Sequence, residues 1–153
     1  MKDQLIYDET SPSCLRWVAT GEPAGCQEPL GYFLVRVGPG NGRLFKAHRI
    51  IWYLHHGDMP DLIDHRDTDP SNNRIKNLRR ATEGQNRHNS KKHRDNSSGS
   101  KGVQWDPRTQ KWAVRICVNY QSIWGGRFAD KDAAIAEAVR LRELHHKDFS
   151  RHD

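Results

Sequence analysis

The sequence predicts an α+β chain made of two small modules, and three observations carry that prediction. Two β-rich runs, residues 31–37 and 43–46, flank Gly38-Pro39-Gly40-Asn41-Gly42, which together read as a hairpin. Directly after it, apolar residues at Ala47, Ile50, Ile51 and Leu54 recur at helical spacing. Near the other end, Trp112, Val114, Ile116 and Val118 alternate with Ala113, Arg115 and Cys117, the period of a strand with one buried face.

In chain order, residues 14–18 form a strand-like piece, followed by a Gly/Pro-rich turn and then the hairpin. The helix runs from Ala47 to His56, and Gly57 is placed to end it. Leu62 and Ile63 make a short apolar strand that delivers Asp64 and His65 to a polar loop, and Ile75 and Leu78 return the chain to a core. Thr82 with Gln85 three residues later fits a capping box, so a helix starts there with Asn86 in its first turns. Residues 87–101 carry five basic side chains against one acidic and no large apolar one, so the stretch reads as a linker or flexible arm. Beyond it, Val103 and Trp105 flank Gln104, a turn follows at Asp106-Pro107-Arg108-Thr109, and residues 112–118 and 122–128 are strands. Asp130 caps a last helix reaching about His145, with Ala134, Ala138 and Leu141 on one face. Three antiparallel strands and one helix leave one sheet face bare, carrying Gln104, Arg115 and Trp124; Trp105 and Trp112 are read as core. The expected division is a module at 1–86, a basic linker at 87–100 and a second module at 101–153.

The 153 residues include 25 Lys plus Arg against 19 Asp plus Glu, a formal net charge of +6. Residues 1–86 are neutral overall, with 11 basic and 11 acidic side chains, so the imbalance lies in 87–153. Such a chain meets an anionic partner. Three cysteines without a Cys-x-x-Cys pair argue against a disulfide scaffold or a zinc ribbon. The first residues lack the apolar core of a signal peptide, and the longest apolar run, Ile50 to Leu54, has five residues where a membrane span needs about 20. Membrane and secreted classes are therefore not expected.

The densest chemistry lies between residues 62 and 86. A carboxylate at Asp64 and an amide oxygen at Asn86 are hard ligands suited to Mg²⁺. His65 beside them, with an ordinary pKa of about 6.5, can take a proton from water at neutral pH. Together these residue types describe hydrolysis of a phosphodiester. His48, at the start of an apolar helix, reads as a structural hydrogen-bonder, and His55-His56 and His145-His146 as solvated residues near helix ends. Arg79, Arg80, Lys91, Lys92 and Arg94, close to such a site, are read as phosphate-backbone contacts.

Ala47-His48-Arg49-Ile50-Ile51-Trp52, Ile63-Asp64-His65, Asn72-Asn73-Arg74-Ile75-Lys76-Asn77-Leu78 and Gln85-Asn86 resemble the HNH endonuclease family over residues 47–89, in its phage and intron homing branch. The resemblance implies a ββα-metal (His-Me finger) module with one divalent ion, Mg²⁺ or Mn²⁺, per active site. Asp64 and Asn86 would be its ligands, His65 the general base, and Asn77 the residue that holds the loop in shape. Asn86 stands where many members carry histidine. Also implied are double-stranded DNA as substrate, ends bearing 5′-phosphate and 3′-hydroxyl, and the cytoplasm of a bacterial or phage-infected cell. One site per chain implies nicking by a monomer or double-strand cleavage by a homodimer.

Lys101-Gly102-Val103-Gln104-Trp105, Lys111 to Ile116, Ile123 to Phe128 and Ala133 to Ala136 are similar to the plant ethylene-response-factor (APETALA-type) DNA-binding domain. That resemblance implies a sheet entering the major groove, with Lys101, Gln104, Arg108, Arg115 and Trp124 facing DNA. Asp106 and Cys117 fall where plant members carry arginines, so base preference does not transfer. The rival expectation is a non-catalytic DNA-binding regulator with a degenerate nuclease motif. An RNA-directed nuclease is disfavoured, because the aromatic pattern of the common RNA-recognition motif is missing.

Overall fold

A computed structural model describes residues 1–89, 95–118, 120–146 and 149–150, the side chain of His88 excepted. The architecture mixes small antiparallel sheets with helices, in two compact units, Met1–Ala81 and Thr82–Asp153. Among the described residues no helix is long and apolar enough to cross a membrane.

In the first unit, β1 (Leu5–Tyr7) pairs with β2 (Leu15–Trp17). The strands β3 (Cys26–Gln27), β4 (Phe33–Val37) and β5 (Arg43–Lys46) form a sheet in that order, with Val37 opposite Arg43 where the Gly/Pro/Asn loop closes. Then come α1 (Ala47–His56), β6 (Ile63–His65), a 3₁₀ turn (Ile75–Asn77) and β7 (Leu78–Arg80), which pairs with β6. Ten residues are too few for a helix to be stable alone, so packing holds α1. Ile50 and Ile51 are fully buried against Leu5, Leu15, Val35 and Ile63. Each such side chain contributes about 1.5–3 kcal/mol by leaving water. Gly57 ends α1 in the left-handed region (φ 79°), its N–H donating to Tyr53 O at 2.9 Å. Trp52 Nε1 donates to Asp58 Oδ1 at 3.0 Å and pins the loop that follows.

The second unit opens with α2 (Glu83–Asn89), started by a reciprocal capping box. Thr82 N donates to Gln85 Oε1 at 2.8 Å, and Gln85 N to Thr82 Oγ1 at 3.2 Å. The strands β8 (Val103–Asp106), β9 (Lys111–Val118) and β10 (Gln121–Phe128) make an antiparallel sheet with β9 central. One face buries Val103, Val114 and Ile116 under Ala134, Ala138 and Leu141 of α3 (Lys131–His146).

Two expectations need correction here. Trp105, read as core, is 41% exposed: it sits near the end of β8, outside the cover of α3, and meets Trp112 edge-on at 5.1 Å. The stretch read as a linker is folded where it is described. Arg87 and Asn89 belong to α2, and Ser98 and Ser100 are buried. There Asn96 Oδ1 accepts from Ser98 Oγ at 2.9 Å and Gly99 N at 2.7 Å, and Asn96 Nδ2 donates to Ser100 O at 3.0 Å. Short polar side chains satisfy the backbone in place of an apolar core. Residues 90–94, with Lys91, Lys92 and Arg94, lie outside the described residues.

Candidate active site

The hairpin β6–β7 builds the site. Its register sets Asp64 opposite Arg79 and His65 opposite Leu78. Asp64 Oδ2 accepts from Arg79 Nε at 2.8 Å and lies 2.7 Å from Arg79 Nη2, with both side chains buried. Arg79 is thus committed to Asp64 inside the protein, which corrects its reading as a phosphate contact. Arg80, the next residue, points outward, is exposed and pairs with Asp58.

His65 is 6% exposed, and its Nε2 lies 3.2 Å from Asn73 Oδ1. An amide oxygen only accepts, so in this pairing Nε2 carries the proton and Nδ1 the lone pair. The ring meets His48 edge-on at 5.0 Å and Tyr32 at 6.1 Å, while Lys46 Nζ sits 3.6 Å over the Tyr32 ring. Burial pushes the His65 pKa down, opposed by the Asn73 hydrogen bond and the carboxylates of Asp67, Asp64 and Asp69. Burial, then the positive charges of His65, Lys46 and Arg49, drives His48 down to about 3. Both rings are therefore neutral at neutral pH.

The loop between the strands is braced by Asn77. Its Nδ2 donates to Asp67 Oδ1 at 2.9 Å and to Asn72 O at 2.8 Å, and its Oδ1 accepts from Asp67 N at 3.2 Å. Burial would raise the Asp67 carboxyl, but hydrogen bonds from the Asp69 amide, Asn77 and Asn72 outweigh it and hold the pKa below the ordinary carboxylate value. Tyr7 Oη accepts from Ile75 N at 3.0 Å and ties this loop to β1.

The first unit thus brings Asp64, His65, Asn77 and Arg79 together, and adds His48 and Asn73, which sequence reasoning had not placed at the site. Asn86 is on α2 of the second unit and is exposed. Among the described residues no three His, Cys, Asp or Glu side chains cluster to hold a metal. An ion here would take one carboxylate and complete its shell with amide, water and phosphate oxygens, the habit of Mg²⁺. The hard oxygens of Asp64 suit that ion.

In the second unit, Gln104, Arg115 and Trp124 line one shallow groove together with Arg127. Arg115 and Arg127 lie 5.6 Å and 5.0 Å from the Trp124 ring centroid. Arg127 went unnoticed in the sequence; it pairs with Asp106, Nε to Oδ2 at 3.2 Å. Arg108 is exposed in the β8–β9 turn, while half-buried Lys101 lines a different cleft.

Comparison with known proteins defines the class. Residues 45–88, which hold β6, the loop, β7 and Asn86, match the HNH endonuclease family model. The chain belongs to the HNH endonuclease family. Over 108 residues it is 30% identical to Protein 3.8 of Escherichia phage T7, an alignment covering 69% of this chain and 88% of that protein. No solved structure matches the chain.

Proposed function

We propose that the chain is a metal-dependent DNA endonuclease that hydrolyses phosphodiester bonds to 5′-phosphate and 3′-hydroxyl ends, in the manner of a site-preferring homing-type nuclease. The observation that carries this reading is His65, held by Asn73 beside Asp64 at the mouth of the braced loop. His65 acts as general base: the Asn73 contact fixes the tautomer, and burial keeps the ring neutral and ready to accept a proton. Asn77 keeps the loop in shape, and Arg79 fixes the Asp64 carboxylate. Asp64 and Asn86 would hold Mg²⁺ or Mn²⁺, which supplies charge stabilisation for the leaving 3′ oxygen. The ββα-metal description applies to β6, β7 and α2 on this reading.

The second unit is proposed to hold the DNA through an APETALA-type sheet. Gln104, Arg115 and Trp124 read the major groove from the face opposite α3, with Arg108 and Lys101 at its edges. Arg80 contacts the backbone, as do Lys91, Lys92 and Arg94 on the strength of their charge. The working compartment is the cytoplasm of a phage-infected bacterium, and the protein acts as a nicking monomer or a double-strand-cutting homodimer.

The rival, a DNA-binding regulator with a silent site, draws on the engagement of Asp64 by Arg79. Supercoiled plasmid incubated with Mg²⁺, with and without EDTA, separates the two. We expect nicking or linearisation that EDTA abolishes, and a His65→Ala variant that binds DNA but cleaves roughly 10²–10⁴-fold more slowly. No cleavage of several DNAs by the wild type would favour the regulator, and a His65→Ala variant as fast as wild type would remove His65 as the base.

A further inference from the structure

Arg142 of α3 is a buried cation whose binding capacity is only partly used. It is 2% exposed, and its Nη1 donates to the Lys101 carbonyl. Its Nε and Nη2 are buried without a hydrogen-bond partner among the described residues. A guanidinium keeps its charge at any working pH, and a buried charge left uncompensated is strongly unfavourable. Nε and Nη2 are moreover the adjacent pair whose N–H bonds run side by side, the edge of the fork that grips two oxygens of one anion.

Arg142 lies in the wall of a cleft of about 180 Å³ within the second unit, beside Arg87, Lys101, Arg115, Tyr120 and His146. Arg142, Arg87 and Lys101 carry fixed positive charge here, while Arg115 lines the cleft from β9 with its guanidinium on the other sheet face, 5.6 Å from the Trp124 ring centroid. Among the described residues, Glu83 meets Tyr120 Oη at 3.4 Å, and Glu143 acts on Arg142 electrostatically. A water occupies about 30 Å³ of liquid, so the cleft admits one phosphate group with a few waters. Three cations outweigh what a single carboxylate could neutralise, which selects a multiply charged anion.

We propose that this cleft is a phosphate-binding site, in which Arg142 grips two phosphate oxygens through Nε and Nη2 while Arg87 and Lys101 neutralise the remaining charge. Exposed Tyr120 and Arg87, whose guanidinium lies 5.4 Å from the Tyr120 ring centroid, line the same cleft. The phosphate comes either from the DNA backbone or from a free phosphate or nucleotide. Arg87 shares α2 with Asn86, but none of the site's residues belongs to the β6–β7 hairpin.

The test follows the Arg142 Nε–H resonance of the full-length protein by NMR, assigned by its loss in Arg142→Lys. Inorganic phosphate is titrated in, with chloride at matched ionic strength as control. The proposal expects a saturable shift with phosphate and none with chloride, weakened roughly tenfold in affinity by Arg87→Ala. A short duplex that produces the same shift in competition with phosphate makes the ligand a backbone phosphate. A duplex that leaves the resonance in place while phosphate moves it makes the ligand a free phosphate. A resonance unmoved by both, one moved equally by chloride, or an affinity untouched by Arg87→Ala overturns the site. Where Arg142→Lys fails to fold, phosphate affinity is read by calorimetry on the wild type and Arg87→Ala, since Arg87 is exposed, and an unchanged affinity overturns the site.

Discussion

At the scale of single residues, the Asp64–Arg79 pair is both structural support and part of the site. Two buried charges attract strongly only while both are present, and removing one leaves the other uncompensated. Arg79→Ala should therefore destabilise the protein by about 3–5 kcal/mol in urea unfolding, and adding Asp64→Asn should recover part of that loss. A second expectation concerns His48, pushed by burial from 6.5 to about 3 in the folded protein. The unfolded chain then takes up a proton in a range where the folded one does not. Stability from this group is intact above pH 6.5 and falls by about 1.4 kcal/mol per unit as pH drops toward 3. Measuring stability against pH should show His48→Gln flattening that slope; an unchanged slope would place the acid sensitivity elsewhere. Asp64 and His65 were legible in the sequence because adjacency and residue chemistry suffice to find them. The partner of Asp64 was not, since it is set by the β6–β7 register, which a loop of polar residues conceals. Asn73 was hidden for a similar reason: nothing in a run of two asparagines says which one turns inward to His65.

At the scale of elements, β10 owes its fit under α3 to an absent side chain. The register with β9 shifts between Trp124 and Gly126, and Gly125 lies in that irregularity. A Cβ on Gly125 would stand 2.7 Å from both Leu141 Cδ1 and Val114 Cγ1. Gly125→Val should cost about 1–3 kcal/mol through overpacking, read as a lowered Tm, whereas a change at exposed Ser122 on the same strand should do little. The eight-residue β9 and the sixteen-residue α3 were legible because each is long enough to display its period. The three-residue β1 and the two-residue β3 were not, since such runs complete hardly one alternation. Trp105 misled for a related reason. Alternation assigns a face, but whether that face is covered depends on where the helix above it ends.

At the scale of the whole molecule, charge separates the two units more sharply than composition does. Residues 1–81 carry 11 basic and 10 acidic side chains, and residues 82–153 carry 14 and 9. On the proposed division of labour the second unit binds most of the phosphates, and counterion release gives that division a measurable signature. If about six phosphates are engaged, log affinity should fall against log salt with a slope of roughly −5. Replacing Arg108 and Arg127 together by Gln should flatten the slope by about one for each phosphate no longer neutralised, leaving roughly −3. The exposed β8–β9 turn and sheet face that carry them make folding defects a poor explanation for such a change. A weaker affinity at a single salt concentration would not distinguish phosphate binding from base reading, since only the former releases counterions along the backbone. The slope therefore decides. A value unmoved by the double substitution would put phosphate binding in the first unit, around Arg80, and leave the sheet to read bases alone.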